Sequence, residues 1–293
     1  MRETFLKYIQ YEKRYSHHTI TSYNNDLIQF EEFIAQNFDG VTADLANHAL
    51  IRSWIVDLVD AGLDARSVNR KIACLRSFYK FLLKRGHMSK DPMLKIKGLK
   101  VKKQLPQFVH EEDMAKLLDQ FPFEDNFTGT RDRLILELLY GTGIRLSELI
   151  HLKTSDVSFY DRTIKVLGKR NKERIVPFTV NLENVLRVYL QQKKTLGFIN
   201  EGDELIVTDN GNICYPMVIY RTVKKYLNLF TTIEKRSPHV LRHTFATHLL
   251  NKGAELNAVK DLLGHTSLAA TQVYTHNSLD KLKKVFDQAH PKA

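Results

Sequence analysis

The first part of the chain carries apolar residues at helical spacing. Stripes of such residues run from Ile20 to Ile34, from Leu50 to Leu58 and from Val68 to Leu82. Intervals of three and four residues place each stripe on one face of a helix. Gly86 can end the third helix, because glycine readily adopts the left-handed conformation there. With a short helix around Phe5–Ile9, the pattern predicts a small four-helix domain.

The second part of the chain mixes helical and strand patterns. An apolar run over 134–140 predicts a buried helix, and TIKVLGKRNKERIVPF (163–178) predicts two short strands around a polar turn. Further helices are predicted at 182–194, 216–230, 239–251 and 256–263, and a last amphipathic helix carries Leu279, Leu282, Val285, Phe286 and Ala289. The fold class that follows is mainly α with a small β-sheet in the second domain.

A basic segment separates these two parts. The stretch KIKGLKVKKQLPQ (95–107) holds several lysines, a glycine and a proline, and it lacks helical periodicity. A length of 293 residues also favours two domains of ordinary size. We therefore predict a helical domain at 1–94, a basic linker at 95–106 and a second domain at 107–293 that ends in a tail helix.

Composition limits the classes of binding partner and the cellular compartments that fit this chain. The formal net charge of +11 suggests a polyanion such as nucleic acid, although a soluble protein can simply be basic. The two cysteines, Cys74 and Cys214, are far apart in the sequence. They form neither a disulfide framework nor a cysteine spacing typical of metal sites. The charged N-terminus lacks a secretory signal, and the apolar runs are too short to span a membrane. We expect a soluble, cytoplasmic protein.

The helix predicted over the Val68 stripe has a basic polar side. This side carries Arg66, Arg70, Lys71 and Arg76. If the helix lay along a DNA groove, these side chains would contact the phosphates. The alternative is a solvated helix face. We predict DNA contacts for these four residues.

The segment GTGIRLSEL (141–149) is the first of four that concentrate candidate chemistry. Gly141 and Gly143 suit a tight turn, and Thr142 could cap the helix that follows. Arg145 would then sit in the first turn, with Glu148 three residues later on the same side. Taken alone, this pair is equally a salt bridge at a helix start.

The segment SPHVLRHTFATHLL (237–250) predicts a helix whose N-terminal end can bind an anion. Ser237 can act as the N-cap, and His239 and Arg242 would share a face near the helix N-terminus. A metal site formed by His239, His243 and His248 is an alternative. The segment lacks the glutamate of a zinc-protease helix, however, and Arg242 would lie beside the cation.

Two further segments supply a lysine, a histidine and a tyrosine. Lys169 lies in the turn between the two predicted strands, at GKRNKER (168–174). In LLGHTSLAATQVYTH (262–276), Gly264 ends a helix, His265 follows in the turn and Tyr274 comes nine residues later. Two arginines, two histidines and a lysine suit phosphoryl transfer, in which negative charge builds on oxygen. Surrounding positive charge also favours a tyrosinate nucleophile.

These four motifs, in this order and spacing, resemble those of tyrosine recombinases of the Xer type, in the phage integrase family. The resemblance covers nearly the whole chain, since HHTITSYNNDLIQFEEF and SVNRKIACLRSFYKFL are similar to the family's core-binding domain. It implies an N-terminal four-helix core-binding domain and a C-terminal mixed α/β catalytic domain.

The resemblance also implies a role for each candidate residue. Tyr274 would attack the scissile phosphate and hold the DNA 3′ end as a phosphotyrosine. Arg145 and Arg242 would neutralise the non-bridging oxygens, and Lys169 would protonate the departing 5′ oxygen. The remaining candidates would support proton transfer or bind the phosphate (His239 and His265) and orient the site (Glu148).

Partners and cofactors follow from the same resemblance. It implies a double-stranded recombination site and a tetramer on two DNA sites, formed with itself or with a paralogous recombinase. The last helix would dock on a neighbouring subunit in that complex, and the alternative is that it packs on its own domain. No ATP or metal ion should be needed, because the phosphotyrosine conserves the phosphodiester energy. Nucleoid association is expected, and the need for a division-linked activator is left open.

Several functions remain open at this point. The compact layout favours resolution of chromosome dimers, and an integrase or transposase of a mobile element shares the same catalytic motifs. A type IB topoisomerase would share the chemistry without explaining the N-terminal half. From other classes, the candidates are a DNA-binding regulator with a vestigial site and a histidine-cluster metalloenzyme.

Overall fold

The computed structural model describes residues 1–101, 107–168, 172–198, 202–264 and 276–292, and of 276–282 it describes the backbone alone. The chain divides into two compact units, Met1–Gln104 and Leu105–Ala293. Among the described residues, no helix is both long enough and apolar enough to cross a membrane.

The N-terminal unit contains the four predicted helices. They are α1 (Arg2–Lys7, continued by a π-helical turn at Tyr8–Glu12), α2 (His17–Asn37), α3 (His48–Asp60) and α4 (Ala65–Lys84). Side chains cap three of them, because Ser16, Asn47 and Asp64 accept hydrogen bonds from backbone N–H groups of the first turns of α2, α3 and α4. Gly86 follows α4 with a φ of 73°, which confirms the predicted helix end.

The predicted apolar stripes form the core of this unit. Fully buried aromatic rings from all four helices meet there, among them Phe5, Phe30, Trp54 and Phe78. The start of the basic segment packs on the same core, since Ile96 is buried. The Asn69 amide also pairs with both backbone groups of Leu99, at 2.7 and 2.9 Å. The described part of the predicted linker therefore begins on the N-terminal unit.

The C-terminal unit combines helices with one small sheet. Its helices are α5 (Glu111–Ala115, continued by a π-helical turn at Lys116–Gln120), α6 (Phe127–Thr142), α7 (Leu146–Ile150), α8 (Val180–Thr195), α9 (Pro216–Phe230), α10 (Pro238–Asn251), α11 (Leu256–Leu263) and α12 (His276–Ala289). The strands are β1 (Val157–Ser158), β2 (Thr163–Leu167) and β3 (Glu173–Pro177). They pair antiparallel in the order β1-β2-β3. The predicted fold class is confirmed, and β1 is an element that the sequence pattern missed.

Helix α6 is the centre of the C-terminal unit. Its residues from Leu134 to Thr142 are all buried, because α8, α9 and α10 pack against it. The prediction that Gly141 lies in a tight turn and that Thr142 caps the following helix is wrong, since both residues belong to α6. The Thr142 hydroxyl donates to the Leu138 carbonyl oxygen within that helix. The chain turns instead at Gly143, whose φ of 61° ends the helix.

The tail helix α12 packs on its own unit in the single chain. Phe286 and Ala289 are buried in the same core as α6 and α10. Beyond the helix, Lys292 Nζ contacts Asp119 Oδ1 at 2.9 Å and also the buried carboxylate of Glu137. Apolar contacts and two ion pairs of Lys292 therefore anchor the tail here.

Candidate active site

Glu148 is the centre of a buried cluster of arginines. Arg174 donates two hydrogen bonds to its carboxylate, from Nη1 to Oε1 at 2.9 Å and from Nη2 to Oε2 at 2.8 Å. Arg145 donates to the same carboxylate from its side chain and from its backbone N–H, both at 2.7 Å. Nη1 of Arg242 lies 4.0 Å from Oε2. One acidic side chain thus organises three guanidinium groups that come from different parts of the chain.

The local sequence explains how α7 presents this cluster. Arg145 occupies the N-cap position of α7, and Glu148 is the third residue of that helix. From there its carboxylate reaches back to the Arg145 N–H, which the helix itself leaves unpaired. The prediction that Arg145 and Glu148 lie together is confirmed, with Arg145 one position before the first turn.

Arg242 is held by backbone carbonyl groups as well as by charge. Its guanidinium donates to the carbonyl oxygens of Gly143 and Leu263, which are the ends of α6 and α11. It lies in the second turn of α10, which begins with Ser237 as N-cap residue and Pro238 at the first helical position. The predicted N-cap position of Ser237 is confirmed, although its side chain makes no capping hydrogen bond. Arg242 is nevertheless fixed by three segments.

The cluster holds positive charge in excess. Three guanidinium groups surround one carboxylate, which leaves two charges uncompensated within the set. Burial, and then the neighbouring Arg145 and Arg174, lower the pKa of Arg242 to about 10. Burial acting alone would raise the pKa of Glu148, but hydrogen bonds from Arg174 and Arg145 lower it to about 2. Arg242 and Glu148 are therefore both charged near neutral pH, and the arrangement suits an anion.

Arg145 is the guanidinium that solvent reaches most easily. Its side chain is 32% exposed, whereas those of Arg174 and Arg242 are 4% and 8% exposed. Its Nη2 has a weak contact of 3.4 Å with the Gly264 carbonyl oxygen. An arriving phosphate can therefore take hydrogen bonds from Arg145 without breaking the Arg174–Glu148 pair.

Arg174 also belongs to this site, although none of the sequence motifs pointed to it. Besides its two bonds to Glu148, its Nε donates to the Leu262 carbonyl oxygen at 2.8 Å. The strand pattern did contain a signal for Arg174. It is two residues before the buried Val176, so both side chains lie on the same face of β3. An arginine on the inward face of a short strand requires a buried acceptor.

Two glycines lie against the cluster next to candidate residues. A Cβ atom added at Gly168 would be 3.7 Å from Glu148 Oε1, and one added at Gly264 would be 3.1 Å from Arg174 Cδ. These glycines directly precede Lys169 and His265 in the sequence. Gly264 ends α11 with a φ of 63°, as predicted. Lys169, His265 and Tyr274 themselves lie outside the described residues.

The histidines of α10 have different environments. His239 is exposed in the first turn, and His243 is half-buried. His248 is buried, with Nδ1 3.0 Å from the Tyr140 hydroxyl and Nε2 3.0 Å from the Val109 carbonyl oxygen. Because both of its ring nitrogens are engaged, His248 cannot complete the metal site considered above.

The basic face predicted on α4 is present in part. Arg66, Arg70 and Arg76 are exposed, although Arg76 also donates to the Ile96 carbonyl oxygen at 2.6 Å. Lys71 departs from the prediction, since its ammonium is buried and bonded to Asp26 Oδ1 at 2.9 Å. The helical rotation places Lys71 with the apolar stripe, where it faces Asp26 of α2 together with Arg70. The DNA contacts of the three arginines remain a prediction.

Family models match both units of the chain. The model described as "Phage integrase family" matches residues 107–280, and the one described as "Phage integrase, N-terminal SAM-like domain" matches residues 3–86. The first match spans the arginine cluster and all four motifs of the second domain.

Curated relatives match almost the full length of the chain. Tyrosine recombinase XerC of Chlorobaculum tepidum is 37% identical over 99% of this chain and 94% of its own length. Tyrosine recombinase XerC of Staphylococcus aureus is 39% identical over 100% of this chain and 97% of its own length. Identity at this level, over both units, extends well beyond the four motifs.

Solved structures share the fold at lower identity. The XerH site-specific recombinase bound to its difH substrate has a TM-score of 0.71 at 22% identity, covering 91% of this chain and 79% of that one. The Tn1549 transposon integrase in complex with circular-intermediate DNA has a TM-score of 0.70 at 21% identity, covering 96% and 97%. The family models and the curated relatives confirm the resemblance seen in the motifs: the chain belongs to the phage integrase family and is an Xer-type tyrosine recombinase, an enzyme that cleaves and rejoins DNA.

Proposed function

We propose that this enzyme resolves chromosome dimers by exchanging strands between two copies of one double-stranded DNA site, with Tyr274 as nucleophile. The Tyr274 oxygen attacks the scissile phosphorus, the bond to the 5′ oxygen breaks, and the DNA 3′ end stays on the tyrosine. The tyrosine proton leaves to a base, and the departing 5′ oxygen takes a proton from Lys169. Attack by a 5′-hydroxyl of the partner duplex releases Tyr274 and rejoins the strand.

The arginine cluster is the observation that carries this proposal. Arg145 and Arg242 would bind the non-bridging oxygens, where negative charge grows in the transition state. Glu148 would orient both guanidinium groups, as its hydrogen bond to Arg145 and its proximity to Arg242 suggest. The places of Gly168 and Gly264 beside the cluster support the assignment of Lys169 and His265, which follow them in the chain. His239 would bind the phosphate from the exposed first turn of α10.

The domain assignment and the partners belong to the same proposal. Residues 1–94 would bind the core of the DNA site, 95–106 would link the domains, and 107–293 would form the catalytic domain. The enzyme would act as a tetramer in the cytoplasm, on the nucleoid. Among the similar proteins given above, the curated ones are named XerC, which favours the chromosomal role over a mobile-element integrase.

A suicide substrate tests the nucleophile. The probe is a nicked duplex carrying the site that genomic footprinting of the bound protein recovers. We expect a covalent protein–DNA adduct, and we expect Tyr274→Phe to abolish it while DNA binding persists. An adduct formed by Tyr274→Phe would show that the nucleophile is another residue. Footprints at the ends of a mobile element, rather than at one chromosomal site, would contradict dimer resolution.

A further inference from the structure

Arg174 lies in the interior of the arginine cluster and is shielded from solvent. Its side chain is 4% exposed, and three of its N–H groups are engaged. Nη1 and Nη2 donate to the two oxygens of Glu148, and Nε donates to the Leu262 carbonyl oxygen. Gly264 leaves room for its stem, since an added Cβ there would lie 3.1 Å from Cδ. An effect of Arg174 on a phosphate must therefore pass through another residue.

The carboxylate of Glu148 is fully hydrogen-bonded by residues that the structure describes. Oε1 accepts from Nη1 of Arg174 and from Nη1 of Arg145, at 2.9 and 2.7 Å. Oε2 accepts from Arg174 Nη2 and from the Arg145 backbone N–H, at 2.8 and 2.7 Å. A carboxylate offers about four lone-pair directions, so these hydrogen bonds fill them. Half of the bonds come from Arg174.

Arg242 lies near this carboxylate and takes its hydrogen bonds from other groups. Its Nη1 is 4.0 Å from Oε2, and its guanidinium donates to the carbonyl oxygens of Gly143 and Leu263. Neutral carbonyl groups hold the guanidinium in place and leave its charge uncompensated, whereas a carboxylate at hydrogen-bonding distance would bind it more strongly. If Arg174 released Glu148, a movement of about 1 Å would let Arg242 bond to it.

We propose that Arg174 is a positioning residue: by occupying both oxygens of Glu148, it prevents Arg242 from pairing with that carboxylate and keeps its charge available to the scissile phosphate. Arginine suits this part because its planar fork matches both carboxylate oxygens, which a lysine ammonium cannot do. This inference rests on the proposed function, in which Arg242 binds a non-bridging oxygen.

A simpler role for Arg174 is that it compensates a buried carboxylate, which any folded chain requires. If that were its whole contribution, Arg174→Gln would lower the free energy of unfolding and leave the rate of the folded enzyme unchanged. Capture of Arg242 by Glu148 would instead slow the folded enzyme, and it requires the negative charge of Glu148. Glu148→Gln should therefore partly rescue Arg174→Gln if the proposal is right.

The kinetic test uses the full-length chain, below the temperature at which each variant unfolds, and single-turnover cleavage of the nicked duplex at saturating DNA. We expect Arg174→Gln to slow cleavage about tenfold, because a donor to the phosphate is misdirected and not removed. Adding Glu148→Gln should make the double variant about threefold faster than Arg174→Gln. Arg174→Lys keeps the charge and should give a rate between those of Arg174→Gln and the unmodified chain. An unchanged rate in Arg174→Gln, or a double variant no faster than it, would overturn the proposal.

Arg131 provides a matched control in the same unit. Its Nε and Nη2 donate to Asp132 Oδ1 at 3.3 and 3.0 Å, and the two side chains are 6% and 5% exposed. This pair lies near the start of α6, whereas Arg242 is bonded to Gly143 at the end of that helix. Arg131→Gln should lower the free energy of unfolding and change the cleavage rate less than about twofold. Slowing as large as that of Arg174→Gln would mean that loss of any buried ion pair suffices, and the proposal would fail.

A change of substrate tests the role of charge directly. In a methylphosphonate duplex, a methyl group replaces one non-bridging oxygen at the cleavage position, so the negative charge at that phosphorus is removed. The charge of Arg242 then has less to stabilise. The difference between Arg174→Gln and the unmodified chain should shrink from about tenfold to less than about threefold on this duplex. A difference of the same size on both duplexes would indicate a general distortion and contradict the proposal.

A crystal structure of Arg174→Gln gives a readout that does not depend on the chemistry. Arg242 Nη1 should move from 4.0 Å to hydrogen-bonding distance of Glu148 Oε2. This movement, together with no covalent adduct from the unmodified chain, would refute the proposed function but support the role of Arg174. Adduct formation by the unmodified chain, with Arg242 unmoved in Arg174→Gln, would do the reverse.

Discussion

Asp26 in the N-terminal unit and Glu148 in the C-terminal unit are both buried carboxylates bonded to cationic side chains. Asp26 accepts from Lys71 at 2.9 Å and from the more exposed Arg70, and Lys71 also donates to Gln29. These bonds tie α4 to α2 and engage two of the three N–H groups of the buried ammonium. Glu148 instead faces three guanidinium groups, so that positive charge remains in excess and one side chain, that of Arg145, is accessible.

The difference shows how the same kind of ion pair serves two purposes. In the Asp26 cluster the buried Lys71 is paired with one carboxylate, and the second cation, Arg70, has a side chain that is 44% exposed. Such a pair holds elements in register, although it contributes little net stability. In the Glu148 cluster two buried guanidinium groups share one carboxylate, and this excess stores electrostatic free energy that an arriving phosphate releases. Backbone carbonyl groups at Gly143, Leu262 and Leu263 make the second arrangement tolerable, because they accept hydrogen bonds from the buried arginines.

Replacing one buried cation in each cluster should give the largest contrast. We expect Arg242→Gln to slow single-turnover cleavage of the nicked duplex about 10²- to 10³-fold, because one donor to the developing charge is lost. Lys71→Met should leave that rate unchanged at saturating DNA, below the temperature at which the variant unfolds. Equal slowing by both substitutions would show that the clusters do not differ in function.

The pH dependence of stability should separate Glu148 from Asp26. The pKa of this carboxyl is lowered from 4.5 to about 2 in the folded chain. Its contribution to stability, roughly 3 kcal/mol, is therefore fully present above pH 4.5 and is lost as the pH falls towards 2. Urea unfolding between pH 2 and 7 measures this change as a falling free energy of unfolding.

Glu148→Gln is the variant that isolates the contribution of this carboxyl group to the pH dependence of stability. It should lower the free energy of unfolding at pH 7 and flatten its fall between about pH 4.5 and 2, since the amide does not titrate there. Asp26→Asn, which alters the other cluster, provides the matched control and should retain the Glu148 contribution. If the free energy of unfolding of Glu148→Gln fell just as steeply below pH 4.5, other carboxyl groups would be its cause.

The smallest expected effect concerns the basic face of α4. Arg70→Gln should weaken DNA binding a few-fold and reduce the slope of log affinity against log salt concentration by about one, if its guanidinium contacts a phosphate. Lys71→Met should leave the slope unchanged, because its side chain is only 4% exposed, whereas that of Arg70, which also contacts Asp26, is 44% exposed. Fluorescence anisotropy over a range of salt concentrations measures both slopes, and identical slopes for Arg70→Gln and the unmodified chain would remove Arg70 from the predicted interface.

Much of the fold was predictable because its causes are local. Helical periodicity, capping side chains and the glycines after α4 and α11 all act within a few residues, and the predicted helices are present. The error at Thr142 had a different origin. Two glycines in GTG favour a turn locally, but α8 and α10 pack on α6 and extend it as far as Thr142, so that Gly143 alone ends the helix.

The candidate site was predictable in part for the same reason. Arg145 and Glu148 interact across three residues, so their proximity follows from the sequence alone. Arg174 was missed because its acceptor, Glu148, comes from a helix far away in sequence. Lys71 was assigned to the wrong side because its partner Asp26 lies on another helix.

The sequence by itself determined the residue types of a phosphate-binding site, the order of the motifs and the family to which they belong, because these properties are written in identity and spacing. Only the tertiary structure decided which arginine would be buried, which would remain accessible and which backbone segment would be tied to α10. Those outcomes depend on contacts between residues far apart in the chain, where an unpaired buried polar group costs free energy.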